Sequence, residues 1–285
     1  MKMNKHIELP ITEPMYGTYH HQGPATAIDV NGNAAKNWCL NQAVNLMCGR
    51  RFLNGLTTPE LSVPGYSLLG TPYMEYISVP TRFTGGYINF IIKKMLDNGY
   101  YVYFETVDDY YVTGKSWYRE RHFMHNGLIC GYDSDDKTYC IYAYDKNWIY
   151  QKFWTPQNAF DAGRRAAEKQ GKFGNICAVK IKDEDVKISA ETIYSKLKQY
   201  LDSDIEKYPF QAEGNVYGIA VLTYISEYVM RLYREVIPYE RMDRRIFRLI
   251  WEHKRVMLER IIKIEETLNF DNKLSEKYRP LVKEA

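Results

Sequence analysis

The chain has 285 residues, 45% of them hydrophobic, and a net charge of +3. That length suits one large domain or two modest ones with a sizeable core, and the weak charge gives no reason to expect nucleic acid as a partner. Five cysteines, an odd number without CxxC spacing, argue against a disulfide scaffold or zinc ribbon and for a reducing cytoplasmic setting. The start, Met1 to His6, is polar and has no signal-like apolar core, and no apolar run nears the roughly 20 residues of a membrane span, so no membrane is expected.

Residues 1–36 read as loop-rich. Leu40, Ala43, Val44 and Met47 share one face of a helix expected over 39–53. Pro59, Pro64, Pro72 and Pro80 make 55–85 an irregular connection. Residues 88–98 read as a second helix stopped by Gly99, and 100–106 as a strand. A polar, Tyr-rich stretch over 108–121 precedes two strands, 126–132 and 138–145, joined by an Asp/Ser turn. A further strand at 149–154, a short helix at 157–168 and a last strand at 176–181 complete this part. Three helices follow, over 189–208, 214–236 and 239–268, the last with a stripe from Ile246 through His253 to Leu268. The expectation is an α+β fold of one helix against an antiparallel sheet at 1–187, with an appended helical region at 188–285.

Cys39 is the candidate nucleophile. A thiol reacts as thiolate, and a helix N-terminus with a nearby imidazolium lowers its pKa by units. Taken alone, Cys39 reads first as a buried structural thiol, and Cys48, toward the far end of the same helix, is the weaker choice. Cys130 and Cys140 lie in apolar strand patterns and read as small buried hydrophobes that need no pairing. His125 opens a strand that closes in Gly131-Tyr132, which would hold its ring at a sheet edge. His122 sits among charges and reads as exposed, His253 as a satisfied core histidine, and His20 and His21 as loop residues able to line a pocket. Asp145 ends the next strand and could accept the other imidazole N–H, although an Asp at a strand end is commonly just a turn residue.

The order Cys39, His125 with Gly131-Tyr132-Asp133, then Asp145 before Trp148, resembles the papain-like, C39-peptidase-like family, in the branch of the butirosin-pathway acyltransferase. The resemblance covers residues 18–182 and implies a papain-like cysteine protease fold with a Cys39–His125–Asp145 triad. Two positions depart from the family pattern. Leu40 stands where a Gly follows the nucleophile. Asn33 stands near the place of the oxyanion Gln, with Asn37 as its rival. The chain is more similar still to amide-forming enzymes of the closthioamide type. That implies an acyltransferase in thiotemplated peptide biosynthesis. The donor would be a β-alanine-extended 4-hydroxybenzoyl chain on the phosphopantetheine of a peptidyl carrier protein, and the acceptor a small diamine, diaminopropane. No bound cofactor or metal is expected.

On this reading Cys39 takes the acyl group as a thioester, and an amide former differs from a peptidase in the second half, where an amine rather than water attacks that thioester and His125 takes the amine proton. Tyrosines at 100, 101, 103, 110, 111, 118, 142 and 144 would line a tunnel for a phenolic chain, or else pack a sheet. Residues 231–260 carry nine Lys/Arg against five Asp/Glu, with Arg241, Arg244, Arg245 and Arg248 near one helix junction. Such a face suits an acidic carrier protein, or is a solvated helix surface. Glu105, Asp108 and Asp109 are candidates for the counter-charge to the amine's distal ammonium. The rival readings are a cysteine peptidase or amidohydrolase with the same triad, and a non-catalytic protein that docks a carrier.

Overall fold

The computed structural model describes residues 5–54, 58–203, 214–270 and 273–284. In chain order the elements are β1 (His6–Glu8), α1 (Pro24–Ala27), α2 (Ala34–Gln42), β2 (Met47–Gly49), β3 (Leu61–Ser62), β4 (Met74–Pro80), α3 (Ile88–Asp97) and β5 (Tyr101–Asp108). There follow β6 (Met124–Asp133), β7 (Thr138–Tyr144), β8 (Tyr150–Pro156), α4 (Gln157–Lys169), β9 (Asn175–Ile181), α5 (Ala190–Asp202), β10 (Asn215–Tyr217), α6 (Ala220–Tyr233), α7 (Arg244–Leu268) and α8 (Leu274–Glu284). The α+β class, with helices and an antiparallel sheet followed by helices, is as the sequence indicates.

The chain divides into two compact units, 1–35 with 67–184 and 36–66 with 185–285. The first holds a seven-stranded antiparallel sheet in the order β4-β9-β5-β6-β7-β8, with β1 paired to the end of β6. Alternation along the strands divides its residues between two faces. Val102, Phe104, Ile129, Tyr139 and Ile141 pack with Ile88, Ile92 and Leu96 of α3 and Phe160 of α4. Their neighbours Tyr101, Tyr103, Leu128, Cys130, Cys140 and Tyr142 face the other way, onto Ala27 of α1, Ile28 just after it, Leu68 and Met74. Cys130 and Cys140 are free thiols, fully buried, as expected. Tyr101, Tyr103 and Tyr142 are core residues, which favours the packed-sheet reading of these tyrosines over a tunnel.

The second unit joins a three-stranded sheet, β10-β2-β3, to α5, α6 and α7. The expected boundary at 187/188 took 36–66 with the first unit; the structure places that segment with the helices. The reason is hydrogen bonding across the sequence. β2 pairs with β10, and the Asn45 side chain accepts the Gly218 N–H at 2.8 Å. The expected helix over 39–53 is likewise shorter and earlier, ending at Gln42. Asn41 is drawn off to the Lys187 carbonyl and the Ser189 N–H. Arg260 of α7 donates to the carbonyls of Leu40 at 2.6 Å and Ala43 at 3.0 Å, closing the helix's negative end. Among the described residues, no helix is long and apolar enough to cross a membrane.

Candidate active site

Two aspartates at the end of β5 set the geometry. β5 pairs with β6 so that Val107 lies opposite His125 and Asp108 opposite Met124, after a register shift beyond Phe104. A 3-10 turn over Asp109–Tyr111 then folds back, with the Asp109 N–H donating to the Phe123 carbonyl at 2.9 Å. Adjacent carboxylates therefore serve different histidines. Asp108 accepts the N–H groups of Tyr110 and Phe123 and meets His122 Nδ1 at 2.7 Å. Asp109 meets His125 Nδ1 at 2.5 Å.

Asp109 is fully buried, and so is Lys115, whose ammonium lies 3.4 Å from the other carboxylate oxygen. That contact is an ion pair, and Lys115 also donates to the Asn126 carbonyl at 3.3 Å. Burial lowers the Lys115 pKa, and the Asp109 charge opposes that fall. The carboxylate fixes the His125 proton on Nδ1 and leaves Nε2 as the nitrogen that can take a substrate proton. The His125 side chain remains about a quarter exposed (24%), so a substrate can reach it.

His20 lies beside this pair, its ring centroid 4.8 Å from that of His125. Tyr144 and Tyr150 stack on His20 at 5.0 and 5.7 Å. Gly23 permits this packing, since a Cβ there would fall 2.5 Å from a Tyr150 ring carbon. The Tyr144 N–H donates to His20 Nε2 at 3.3 Å. Burial above all, then the charges of Lys115 and His125, hold the His20 pKa well below 6.5. Phe123 also packs edge-on against His125, with ring centroids 4.4 Å apart.

The expected triad is not assembled in this unit. Asp145 does not serve His125. Its carboxylate accepts the Asn147 and Ile149 N–H groups at 2.8 and 2.9 Å and the Gln151 amide at 2.7 Å, bracing the turn before β8. Burial works to raise its pKa, and these donations overcome it and hold the carboxyl below the usual range. Cys39 belongs to the second unit. It lies within α2 rather than at its start, because Asp29 caps the helix by accepting the Ala35 N–H at 2.8 Å. Its thiol is fully buried, and burial pushes its pKa up to about 12 against the pull of Arg260. Asn33 is an exposed residue just ahead of α2, and Cys48 sits in β2.

The remaining expectations divide. His253 is a core histidine whose Nε2 bonds the Val44 carbonyl at 2.8 Å. His122 is exposed, at 55% of its side chain, although tied to Asp108. Asp108 and Asp109 are occupied by histidines, and Glu105 accepts from Asn175, which removes all three as a ready counter-charge for an amine. Arg245 and Arg248 pair with Asp243 and Glu252 at 2.7 and 3.0 Å, beside exposed Arg241 and Arg244. Asp109 as the partner of His125, and Lys115 beneath it, were missed. The signal for them was an acidic pair directly after a strand that borders the His125 strand. Among the described residues, no group of three or more His, Cys, Asp or Glu could hold a metal ion.

No family model and no curated protein matches this sequence. Among solved structures it is similar to Xylellain, a cysteine protease from Xylella fastidiosa, with 12% identity and a TM-score of 0.30. That match covers 63% of this chain and 87% of the other. The likeness is too slight to carry an activity from one protein to the other.

Proposed function

We propose that the protein is an acyltransferase of papain-type ancestry that forms an amide from an acyl thioester and an amine, with His125 as general base and Asp109 as its orienting carboxylate. The observation that carries this reading is the 2.5 Å contact of His125 Nδ1 with a buried carboxylate that is itself paired to a buried lysine. Buried charges are costly unless paired, and a carboxylate in this place holds one imidazole tautomer and stabilises the imidazolium that forms in the reaction.

The step is written without a covalent link to Cys39, because a thiol buried and held neutral is a poor nucleophile. The amine nitrogen attacks the thioester carbonyl carbon, and its proton passes to His125 Nε2. The carbonyl oxygen becomes an oxyanion. Collapse re-forms the carbonyl and breaks the C–S bond, and the departing thiolate recovers the proton from the imidazolium. Donor and acceptor follow the resemblance drawn from the sequence: an aromatic acyl chain on a carrier protein's phosphopantetheine, and diaminopropane. Incubation with an aromatic acyl N-acetylcysteamine thioester and 1,3-diaminopropane tests the reaction class. Amide as the main product supports it; free acid as the main product at saturating amine identifies a hydrolase instead.

The basic junction of Arg241, Arg244, Arg245 and Arg248 is the proposed carrier-docking face. Support comes from its exposure and charge, tempered by the acidic partners of Arg245 and Arg248. Charge reversal at Arg241 and Arg244 should raise KM for a carrier-bound donor and leave the N-acetylcysteamine donor untouched. Equal KM values for the carrier-bound donor would remove this face from the account.

A further inference from the structure

We infer that the cleft between α4 and the turn leading into α3 binds a small phosphate ester. The cleft lies wholly in the first unit and His125 is not among the residues that line it, so this site stands independently of the acyl-transfer reading.

The turn presents a cation from a fixed backbone. Thr81 donates both its N–H and its hydroxyl to the Gly174 carbonyl, each at 3.0 Å, and the Thr84 hydroxyl donates to the Thr81 carbonyl at 2.7 Å. Arg82 extends from this turn and is exposed. Its guanidinium lies 4.6 Å from the Phe83 ring centroid and makes no ion pair or hydrogen bond among the described residues.

α4 supplies the facing wall, with Asp161, Arg164, Arg165 and Glu168 at helical spacing. Arg164 is buried, and both carboxylates are spent on it. Its Nε and Nη2 donate to Asp161 Oδ1 at 3.0 and 2.6 Å, and its Nη1 donates to Glu168 Oε1 at 2.7 Å. Arg165 takes the second Asp161 oxygen at 2.9 Å while its side chain stays 59% exposed. A guanidinium carries five N–H groups, so these three bonds leave two on Arg164 unused, and Arg165 keeps others. From α3, Asn89 accepts the Tyr139 hydroxyl on Oδ1 at 2.7 Å, which leaves its amide N–H groups over.

The chemistry of the cleft is therefore one-sided. Three guanidiniums stand against two carboxylates, and the unused groups are donors. An oxyanion satisfies such a set, and guanidinium forks match phosphate and carboxylate oxygens alike. Donors from three separate elements suit tetrahedral phosphate, whose oxygens point in different directions, better than planar carboxylate. The volume is about 280 Å³. That is near the lower end of small-molecule sites, about 300–1,000 Å³, and leaves room for the organic part of a small ester. Gly85 and Gly86 keep the space open, since a Cβ at either would meet nothing within 4 Å.

Glycerol 3-phosphate is the probe and glycerate its carboxylate counterpart, in calorimetric titrations and nitrogen–proton NMR spectra of the full chain. The expected result is saturable binding of glycerol 3-phosphate, with shifts of the Gly85 and Gly86 amides. Its affinity should fall about tenfold or more in Arg82→Ala and in Arg165→Ala. Both arginines are exposed, so the two variants should keep the fold, which circular dichroism checks. Equal affinity for glycerate would overturn the phosphate assignment. Absence of binding, or binding indifferent to both substitutions, would overturn the site itself. Neither outcome touches the rate of amide formation, so failure here is distinct from failure of the acyl-transfer reading.

Discussion

His125 and Asp109 meet because β5 and β6 are neighbours and the turn after β5 doubles back beneath the sheet edge. Lys115, fully buried like Asp109, lies 3.4 Å from the carboxylate and supplies its countercharge out of water. Cys39 has the opposite electrostatics. It lies in the body of a helix, away from the positive end of the dipole, and its thiol is buried. Burial above all, with the charge of Glu259, opposes the thiolate; Arg260, a hydrogen bond from Tyr66 and Arg255 favour it, and the outcome is a thiol pushed up to about 12. Replacement of Cys39 by Ala should therefore leave amide formation within about twofold of wild type, as expected of a group with no part in the transition state. Intact-protein mass spectrometry should likewise show no acyl adduct on Cys39 after exposure to a loaded carrier. An adduct there, or loss of activity in Cys39→Ala, would restore the thioester route.

At the scale of elements, α7 ties its unit together through two buried polar groups. Arg260 satisfies the last carbonyls of α2, and His253 bonds the Val44 carbonyl. Burial first, against that hydrogen bond, holds the His253 pKa at about 3. The unfolded chain takes up this proton near pH 6.5 and the folded ring resists it to about pH 3. Unfolding therefore gains a proton in that window, and stability falls with pH there by up to about 1.4 kcal/mol per unit. His20 shifts in the same direction and adds to the slope. The urea midpoint should drop from pH 7 to pH 5 more in wild type than in His253→Gln; equal drops would show that His253 has no part in it.

The same elements show what could be read in advance. The strands β5 to β9 and helices α3, α4 and α7 follow period-2 and helical patterns in their own residues, and the sequence located them. β1, β3 and β4 were not seen, because short or Pro-bounded strands owe their form to partners elsewhere in the chain. β4 pairs along its whole length with β9, about a hundred residues later. The helix expected over 39–53 failed for the same reason: Asn41, Asn45 and Arg260 end it through contacts that no local pattern announces. At the site, His125 was legible from its place at a strand start. An Asp at a strand end can brace a turn or orient a base, and Asp145 is the former because its carboxylate accepts from Asn147 and Gln151. From the sequence Asp109 reads only as a candidate counter-charge for an amine, since the fold-back that aims it at His125 is set by the turn geometry and the sheet register together.

At the scale of the molecule, the base, its carboxylate, the buried lysine and the second imidazole all lie within the first unit. The basic junction proposed for the carrier lies in the second, so each can be tested by itself. The central claim is that His125, oriented by Asp109, is the working base of an acyl transfer. The most direct measurement is the rate of amide formation by His125→Ala and Asp109→Asn, with circular dichroism confirming that both fold. A fall of about 10²–10⁴-fold in His125→Ala, and a large fall in Asp109→Asn from loss of the correct tautomer, is the predicted result. Wild-type rates in folded His125→Ala would contradict it.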